Sequence, residues 1–203
     1  MDKILLSVDP MVFNYVPKDA AKKKYGIPEN KKVIFFGSAF LNERRKGMKY
    51  LIDALKKMRE HTEINKENIL LLIAGNDFEL IKSEIPFEYK YLGLLANNEE
   101  LAEAFQASDI YVCPSIEDSG PMMINQAIMC GIPSVTYNMG VAMDLVINGS
   151  TGYRAKLMDT DDLALGITTL LKLDQVTYET YSKNCRELAL SSFTPDVQIE
   201  KFE

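Results

Sequence analysis

The stretch PSIEDSGPMMINQAIMCGIP, residues 114–133, decides the fold. It follows the mostly apolar run DIYVC (109–113) and precedes a second short run, PSVTY (133–137). Two buried strands that are joined by a turn and a helix form a βαβ unit, in which the strands are parallel. The turn of such a unit lies at the carboxyl ends of the strands, where open α/β folds bind ligands. The stretch therefore predicts both a fold class and the position of a ligand site.

Candidate strands and helices alternate along the rest of the chain. Short apolar runs that are rich in β-branched residues predict strands, and their apolar character on both faces means that helices cover the sheet on both sides. This pattern is typical of an α/β fold with a doubly wound, Rossmann-like parallel sheet. The remaining predicted strands are Lys32–Gly37, Asn68–Ala74, Tyr89–Gly93 and Gly152–Ala155.

Apolar residues at helical spacing predict the helices between these strands. One stripe spans Met48–Met58, and Asn97 forms a capping-box pattern with Glu100 that starts another helix. A third stripe follows the cluster Asp159–Asp162, whose D-x-D pattern is better explained as a helix N-terminus than as a metal site, because carboxylates complement the helix dipole there. A long helix at about Val176–Leu190 closes the series.

Length and composition describe one ordinary globular domain. The 203 residues are 47% hydrophobic and 26% charged, so we expect a single domain over residues 1–203, with an irregular leading segment over residues 1–30. The net charge of −6 argues against nucleic-acid binding, and the longest wholly apolar run, Ile69–Ala74, is too short to span a membrane. The three cysteines predict neither a disulfide framework nor a zinc site, and the predicted location is the cytoplasm.

A basic loop follows the first predicted strand. That strand ends at Gly37, and the loop Ser38–Lys46 leads to the next helix. Free backbone N–H groups at the start of a helix bind anions, and cations nearby reinforce the site. Lys46 ends the loop and is the candidate phosphate ligand, whereas Arg44 and Arg45 are either further phosphate contacts or solvated side chains.

The turn inside the stretch 114–133 offers a second part of the site. Asp118 lies in the turn, and Gln126 follows about two helical turns later. One polar side chain in the loop and one on the helix suit a polyhydroxylated ligand. Glu117 adds a further carboxylate on the approach to the turn.

The helix that leaves this turn begins after Gly120–Pro121, with Pro121 at its first position. The free N–H groups of Met122, Met123 and Ile124 would then face the cleft. The alternative is that Asp118 or Ser119 only caps this helix.

Glycines end two more of the predicted strands. Gly75 ends the second strand, and Gly93 ends the third and is followed by Leu94. A flat nucleobase could lie there between backbone and apolar side chains, with hydrogen bonds from main-chain groups. The alternative is an ordinary turn in which glycine supplies conformational freedom.

On these residues the chain resembles the carboxyl-terminal, donor-binding domain of retaining glycosyltransferases with the GT-B fold, of the group 1 or family 4 type. The resemblance covers nearly the whole chain and depends on the order and spacing of several short segments. It implies one half of a GT-B enzyme, with the N-terminal, acceptor-binding domain absent from these residues. The segments are Val33–Gly37, Lys46–Gly47, Asn98–Asp109, Val112–Ser115, CGIP at 130–133 and NGSTGY at 148–153.

The resemblance also implies an activity. A nucleotide-diphosphate sugar, such as a UDP-sugar, would donate its sugar with retention to a saccharide or lipid-linked acceptor in cell-surface polysaccharide synthesis. The acceptor would bind through the missing domain, so the isolated domain would be inactive. No metal or other cofactor is implied, nucleic acid is not a partner, and the full-length protein is compatible with peripheral association at the inner face of the membrane.

The family's paired glutamates correspond to Asp118 and Gln126, and both residues depart from that pattern. By resemblance, Asp118 contacts the transferred sugar and Gln126 grips the ribose hydroxyls, while Glu117 competes with Asp118 for its role. Ser38 stands where many relatives have a phosphate-contacting group. The implied catalytic residues are Asp118 and Lys46, and the implied donor-binding residues are Gly37, Ser38, Arg45, Lys46, Gly75, Gly93, Leu94, Glu117, Ser119, Gly120, Met122, Met123 and Gln126.

Two alternative functions stay open at this point. One is a catalytically silent module that binds a nucleotide or a sugar, with Gln126 marking the loss of turnover. The other is a different GT-B enzyme, such as a nucleotide-sugar epimerase or a phosphorylase. An epimerase would need further acidic and histidine groups in the cleft, and the chain has one histidine, His61.

Overall fold

The computed structural model describes residues 5–61, 64–118 and 120–200, apart from the side chains of His61 and Glu200. Within these ranges six strands form one sheet in which every neighbouring pair is parallel. All six strands that the sequence predicts are present, and the α/β fold with a Rossmann-like parallel sheet is confirmed. The strands are β1 (Lys32–Phe40), β2 (Ile69–Asn76), β3 (Glu88–Tyr91), β4 (Ile110–Cys113), β5 (Ser134–Tyr137) and β6 (Gly152–Ala155).

Eight α-helices connect or flank these strands in the described residues, with single turns of 3-10 helix at Arg44–Lys46, Lys66–Asn68, Phe78–Leu80 and Lys82–Glu84. None of these helices is both long and apolar enough to cross a bilayer. The α-helices are α1 (Lys18–Lys24), α2 (Met48–His61), α3 (Asn98–Gln106), α4 (Met122–Met129), α5 (Ala142–Leu145), α6 (Thr160–Leu171), α7 (Gln175–Ser192) and α8 (Pro195–Glu200).

Helices cover both faces of the sheet, because successive strand residues point to opposite faces and both sets are apolar. In β1, Val33 and Phe35 belong to one core with residues of α3, α4 and α7, whereas Ile34 and Phe36 belong to a second core with residues of α2 and α6. The sheet is therefore doubly wound, as the apolar runs predict.

Two helix starts confirm the capping predictions. The Asn97 side chain accepts a hydrogen bond from the Glu100 N–H at 2.8 Å, at the start of α3. The Asp159 side chain accepts hydrogen bonds from Asp161 N–H and Asp162 N–H, each at 3.1 Å, at the start of α6. The D-x-D pattern is thus a helix cap, and the described residues contain no cluster of potential metal ligands.

Two boundaries differ from the sequence predictions. Part of the leading segment, which the sequence predicts to be irregular, forms α1, because Ala21 and Lys22 are buried against the rest of the domain. Strand β1 continues past Gly37 to Phe40, which pairs with Asn76 of β2 after a register shift. The predicted loop Ser38–Lys46 is therefore shorter, and its first residues are strand.

The strand order is β3-β2-β1-β4-β5-β6. From β1 the chain adds β2 and β3 on one side, and it then returns to the other side of β1 to add β4, β5 and β6. The connections after β1 and β4 consequently leave on opposite sides and open a crevice between them. Ligands of open α/β sheets bind at this switch point, outside the carboxyl ends of the strands. The fold thus places any ligand site between the loops that follow β1 and β4.

Candidate functional site

The loops after β1 and β4 touch each other at the switch point. The Ile116 N–H donates a hydrogen bond of 2.9 Å to the Arg45 carbonyl oxygen. Gly47 has a φ of 76°, and a Cβ built there would lie 1.8 Å from the Pro114 carbonyl oxygen. Only glycine permits this close approach, and the approach holds the loop with Arg45 and Lys46 against the segment that follows β4.

Gly47→Ala is therefore expected to disrupt the crevice. Left-handed backbone costs a residue with a Cβ about 1–2 kcal/mol, and the overlap with Pro114 adds to that cost. Gly149→Ala is the matched control, because Gly149 has a φ of 80° and no atom lies within 4 Å of the place that an added Cβ would take. Urea denaturation should show a clearly larger loss of stability for Gly47→Ala, and equal losses in the two variants would contradict the close approach.

An ion pair joins the two loops at the mouth of the crevice. Lys46 Nζ lies 2.6 Å from Asp118 Oδ2, and Arg45 Nη1 lies 3.9 Å from the same oxygen. The Asp118 side chain is only 12% exposed. The two residues that the sequence predicts as catalytic are thus in direct contact, although they are 72 positions apart.

The surroundings of Asp118 keep its carboxylate charged. Burial acts to raise the pKa of Asp118, but hydrogen bonds from Lys46 and from the Gly120 N–H, together with the charges of Lys46 and Arg45, hold the pKa below its ordinary value. The Gly120 bond measures 3.2 Å to Asp118 Oδ1. Asp118 therefore neutralises Lys46 across the two loops.

The helix that follows the turn starts later than predicted, and the Ile124 N–H, which the sequence predicts to be free, donates to the Pro121 carbonyl oxygen at 2.9 Å. Pro121 is the N-cap residue of α4 rather than its first helical residue, and no side chain caps this end among the described residues. The alternative in which Asp118 serves as the cap is therefore wrong, because its carboxylate bonds Lys46 and Gly120 instead. Ser119 lies outside the described residues, so its predicted role stays a prediction.

The start of α4 lies beside the carboxyl end of β1. A Cβ on Gly37 would lie 2.9 Å from Met123 Cε, which shows how closely the two approach. Met122 is 39% exposed at the same helix end. Gly37 and Met123 are thus neighbours, and the predicted donor contacts of Gly37, Met122 and Met123 stay predictions.

Gln126 is buried on α4, with 8% of its surface exposed. It lies three and four residues after Met123 and Met122, so the three side chains share one side of the helix. Its carboxamide makes no hydrogen bond with the described residues. The polar atoms of this carboxamide are not enclosed, so they are open to solvent and available to hydroxyl groups of a ligand.

The glycines at the ends of β2 and β3 bond to each other. The Gly75 N–H donates to the Gly93 carbonyl oxygen at 2.7 Å, and Tyr91 Oη donates to the Gly75 carbonyl oxygen at 2.6 Å. The Gly75 N–H is therefore already used within the domain, and the predicted contact of Gly75 and Gly93 with a nucleobase stays a prediction. Leu94 is exposed beside them, and its predicted donor contact stays a prediction.

Ser38 and Glu117, two further predicted residues, are near the crevice. Ser38 lies in β1, where its hydroxyl donates to the Phe40 carbonyl oxygen at 3.1 Å. Glu117 is exposed, whereas its neighbour Asp118 is held by Lys46. Asp118 rather than Glu117 is therefore the carboxylate that pairs with Lys46, and the choice between the two for the sugar contact stays a prediction.

One feature of the molecule has no counterpart in the predicted site. A cavity of about 790 Å³ lies at the opposite edge of the sheet, where Lys32, Asp109 and Ile132 lie at or just before the starts of their strands. Its signal in the sequence is weak, since Lys18 and Asp109 are separated by 91 positions and meet only in the folded chain.

Comparisons with known proteins agree with this architecture. N-acetyl-alpha-D-glucosaminyl L-malate synthase from Bacillus anthracis is 26% identical over 200 residues, which cover 97% of this chain and 50% of that protein. The structure of HepE from Anabaena with UDP and glucose has a TM-score of 0.77 at 21% identity and covers 97% of this chain and 54% of that one. The C-terminal domain of LpcC from Francisella tularensis has a TM-score of 0.76 at 17% identity and covers 93% of this chain and 99% of that one.

These likenesses show a GT-B glycosyltransferase fold, and the chain spans about half the length of the curated relative from Bacillus anthracis. The family model for glycosyl transferases group 1 matches residues 17–188, so the chain belongs to that family.

Proposed function

We propose that this chain is the donor-binding domain of a retaining glycosyltransferase whose donor is a nucleoside-diphosphate sugar. The observation that carries the proposal is the contact of 2.6 Å between Lys46 Nζ and Asp118 Oδ2, in the crevice where α/β sheets bind ligands. Support comes from the group 1 family match and from the likeness to HepE, which was solved with UDP and glucose.

In this proposal the diphosphate replaces Asp118 as the partner of Lys46. A diphosphate carries more negative charge than one carboxylate, and it can also accept hydrogen bonds from free N–H groups at the start of α4. Asp118 would then turn to the hydroxyl groups of the transferred sugar. Stabilising the charge that develops on the diphosphate leaving group needs no metal and no side-chain base in this domain.

Gln126 would bind the ribose. Its carboxamide both donates and accepts hydrogen bonds, so it can pair with two neighbouring hydroxyl groups without a charge. The same absence of charge favours the second candidate function, a module that binds the nucleotide sugar without turnover. A sugar-transfer assay on the full-length protein separates the two, since only the enzyme releases UDP in the presence of an acceptor.

The acceptor would bind to another domain. The chain spans about half of its curated relative, and it matches nearly all of an isolated C-terminal domain. We therefore propose that a saccharide or lipid-linked acceptor is held by an N-terminal domain, in the cytoplasm or at the inner face of the membrane, and that residues 1–203 alone bind the donor without transferring it.

Titration calorimetry of residues 1–203 with UDP and GDP tests the proposed function. We expect one of the two to bind at one site, with heat that disappears when the Gly47→Ala variant is used. The absence of binding for both nucleotides, in protein whose circular dichroism shows the folded domain, would contradict the proposal.

Asp118→Asn should change the affinities for UDP and for UDP-glucose in different ways. Removing the carboxylate frees Lys46 and removes a negative charge near the diphosphate, so UDP should bind about two- to tenfold more tightly. UDP-glucose should gain less or lose affinity, because asparagine accepts a sugar hydroxyl more weakly than a carboxylate does. Calorimetry with both ligands measures the difference.

Glu117→Gln is the matched control for that comparison, since it removes an exposed carboxylate one residue away. It should leave the ratio of UDP to UDP-glucose affinity unchanged. The opposite pattern, with the ratio changed by Glu117→Gln and not by Asp118→Asn, would assign the sugar contact to Glu117.

A further inference from the structure

The cavity at the amino-terminal edge of the sheet has the size of a ligand site. Its volume of about 790 Å³ lies within the range of about 300–1,000 Å³ that is usual for small-molecule pockets. Helix α1 and the residues before it form one wall, α7 forms another, and the starts of β1, β4 and β5 form the floor. The cavity is separate from the crevice, because Lys46 and Asp118 follow the opposite ends of the same strands.

A buried group of charges forms the floor of this cavity. Asp109 is 5% exposed and accepts the Val33 N–H at 2.7 Å. Lys18 Nζ lies 3.0 Å from Asp109 Oδ1, and Lys22 Nζ lies 3.1 Å from Asp109 Oδ2. Two ammonium groups therefore share one carboxylate, and the group has a net positive charge.

The two lysines differ in how many hydrogen bonds they have left. Lys22 donates to the carbonyl oxygens of Lys31 at 2.6 Å and Glu29 at 3.4 Å, in addition to its ion pair with Asp109, so its ammonium group is largely used. Lys18 has Asp109 as its one hydrogen-bond acceptor among the described residues, and it lies 3.6 Å from the centre of the Tyr178 ring. Its side chain is 22% exposed, so further N–H groups of Lys18 can reach a ligand.

Further positive charge lines the cavity without a carboxylate partner. Lys32 has no ion pair in the part of the chain that the structure describes. Arg186 donates to three carbonyl oxygens, those of Pro10, Phe13 and Met129, and to no carboxylate among the described residues. The acidic lining residues other than Asp109 are exposed at the rim, where water screens them; they are Asp19, Glu29, Glu179 and Glu187.

We propose that this cavity binds a small organic anion, which carries a phosphate or carboxylate group, at a site separate from the donor crevice. The anion would sit between Lys18 and Lys32 and would neutralise the excess positive charge of the floor. The side-chain amide of Gln175 in the lining donates one N–H to Glu179 and would give its second to the rest of the molecule. Because the cavity joins α1 to α7, its occupation would also stabilise the packing of the leading segment.

Calorimetry with glycerol 3-phosphate and with citrate tests the site and distinguishes the two anion types. At least one of them should bind to the wild-type chain and equally to Lys46→Ala, in which the donor crevice has lost its lysine. Lys18→Gln and Lys32→Gln should each weaken binding by about tenfold or more, as expected for the loss of a charge-assisted hydrogen bond. Lys23→Gln is the control, because Lys23 is an exposed lysine of α1 outside the cavity lining.

Lys32→Gln keeps the test decisive if Lys18→Gln fails to fold, since Lys32 has no described partner to lose. Three outcomes would overturn the proposal. One is the absence of binding of either anion to the wild-type chain. Another is binding that is lost in Lys46→Ala but kept in Lys32→Gln, which would place the anion in the donor crevice. The third is equal weakening by Lys23→Gln, which would indicate non-specific attraction.

A pH profile gives a second readout that a structural role for Lys18 would not produce. Burial lowers the pKa of Lys18 to about 8, although Asp109 opposes this shift. Lys22, Lys32 and Tyr178 also face Lys18, and burial holds the pKa of Tyr178 well above its ordinary value. Anion binding should therefore weaken as the pH rises from about 7 to about 9, and this dependence should be absent in Lys18→Gln.

Discussion

Lys46→Ala is expected to weaken the binding of UDP by roughly 10- to 150-fold, which corresponds to the loss of a charge-assisted hydrogen bond of about 1.5–3 kcal/mol. The physical reason is that Lys46 lies at the switch point with its side chain 25% exposed and its ammonium group held towards the crevice by Asp118. Uridine, which has no phosphate, should bind equally to the variant and the wild type. Titration calorimetry with both ligands measures the two losses.

Lys49→Ala is the matched control for that variant. Lys49 lies near the start of α2, three residues beyond Lys46, but its side chain is 82% exposed and pairs with Asp53 on the same helix. Its removal should change UDP affinity little, because exposed charges are screened by salt. Equal losses for uridine and UDP in Lys46→Ala, or equal losses of UDP affinity in the two lysine variants, would remove Lys46 from the phosphate role.

Asp109→Asn is expected to lower the free energy of unfolding by about 3–5 kcal/mol, the usual cost of removing one partner from a buried ion pair. The change would leave two ammonium groups, those of Lys18 and Lys22, without a carboxylate in the floor of the cavity. It would also weaken the hydrogen bond from the Val33 N–H, which fixes the start of β1. Urea denaturation at neutral pH measures the loss.

The loss of stability in Asp109→Asn should become smaller as the pH falls. Burial acts to raise the pKa of Asp109, but the charges of Lys18 and Lys22 and the Val33 N–H hold it below the ordinary value of 3.8. The carboxylate therefore stabilises the fold above that value, and its contribution is lost as the pH falls through the lowered pKa. The stabilities of wild type and variant should converge in acid, while Asp19→Asn, which changes an exposed carboxylate of α1, should alter stability little at any pH.

The strands and the crevice could be predicted from the sequence because they depend on local patterns. Runs such as Ile69–Ala74 are apolar at every position, so they read as strands that are buried on both faces. Lys46 and Asp118 follow two such strands, and parallel strands bring their carboxyl ends to one edge. Their proximity therefore follows from topology, although the direct ion pair between them does not.

What the sequence did not reveal depends on contacts between distant residues. Helix α1 forms where the sequence predicts irregular chain, because Lys18 and Lys22 both reach Asp109, which is 91 positions from Lys18, and no periodicity encodes such a contact. Likewise, the main chain of Gly75 is occupied by Gly93 and Tyr91, whose positions follow from the pairing of β2 with β3. Local propensity determines the elements, and these long-range contacts decide which polar groups remain free.

A crystal structure of residues 1–203 with UDP tests the central claim most directly. The proposal predicts a phosphate oxygen of UDP at hydrogen-bond distance, about 2.7–3.2 Å, from Lys46 Nζ, with Asp118 displaced and Gln126 bonded to a ribose hydroxyl. UDP bound away from the crevice, with Lys46 still paired to Asp118, would contradict it.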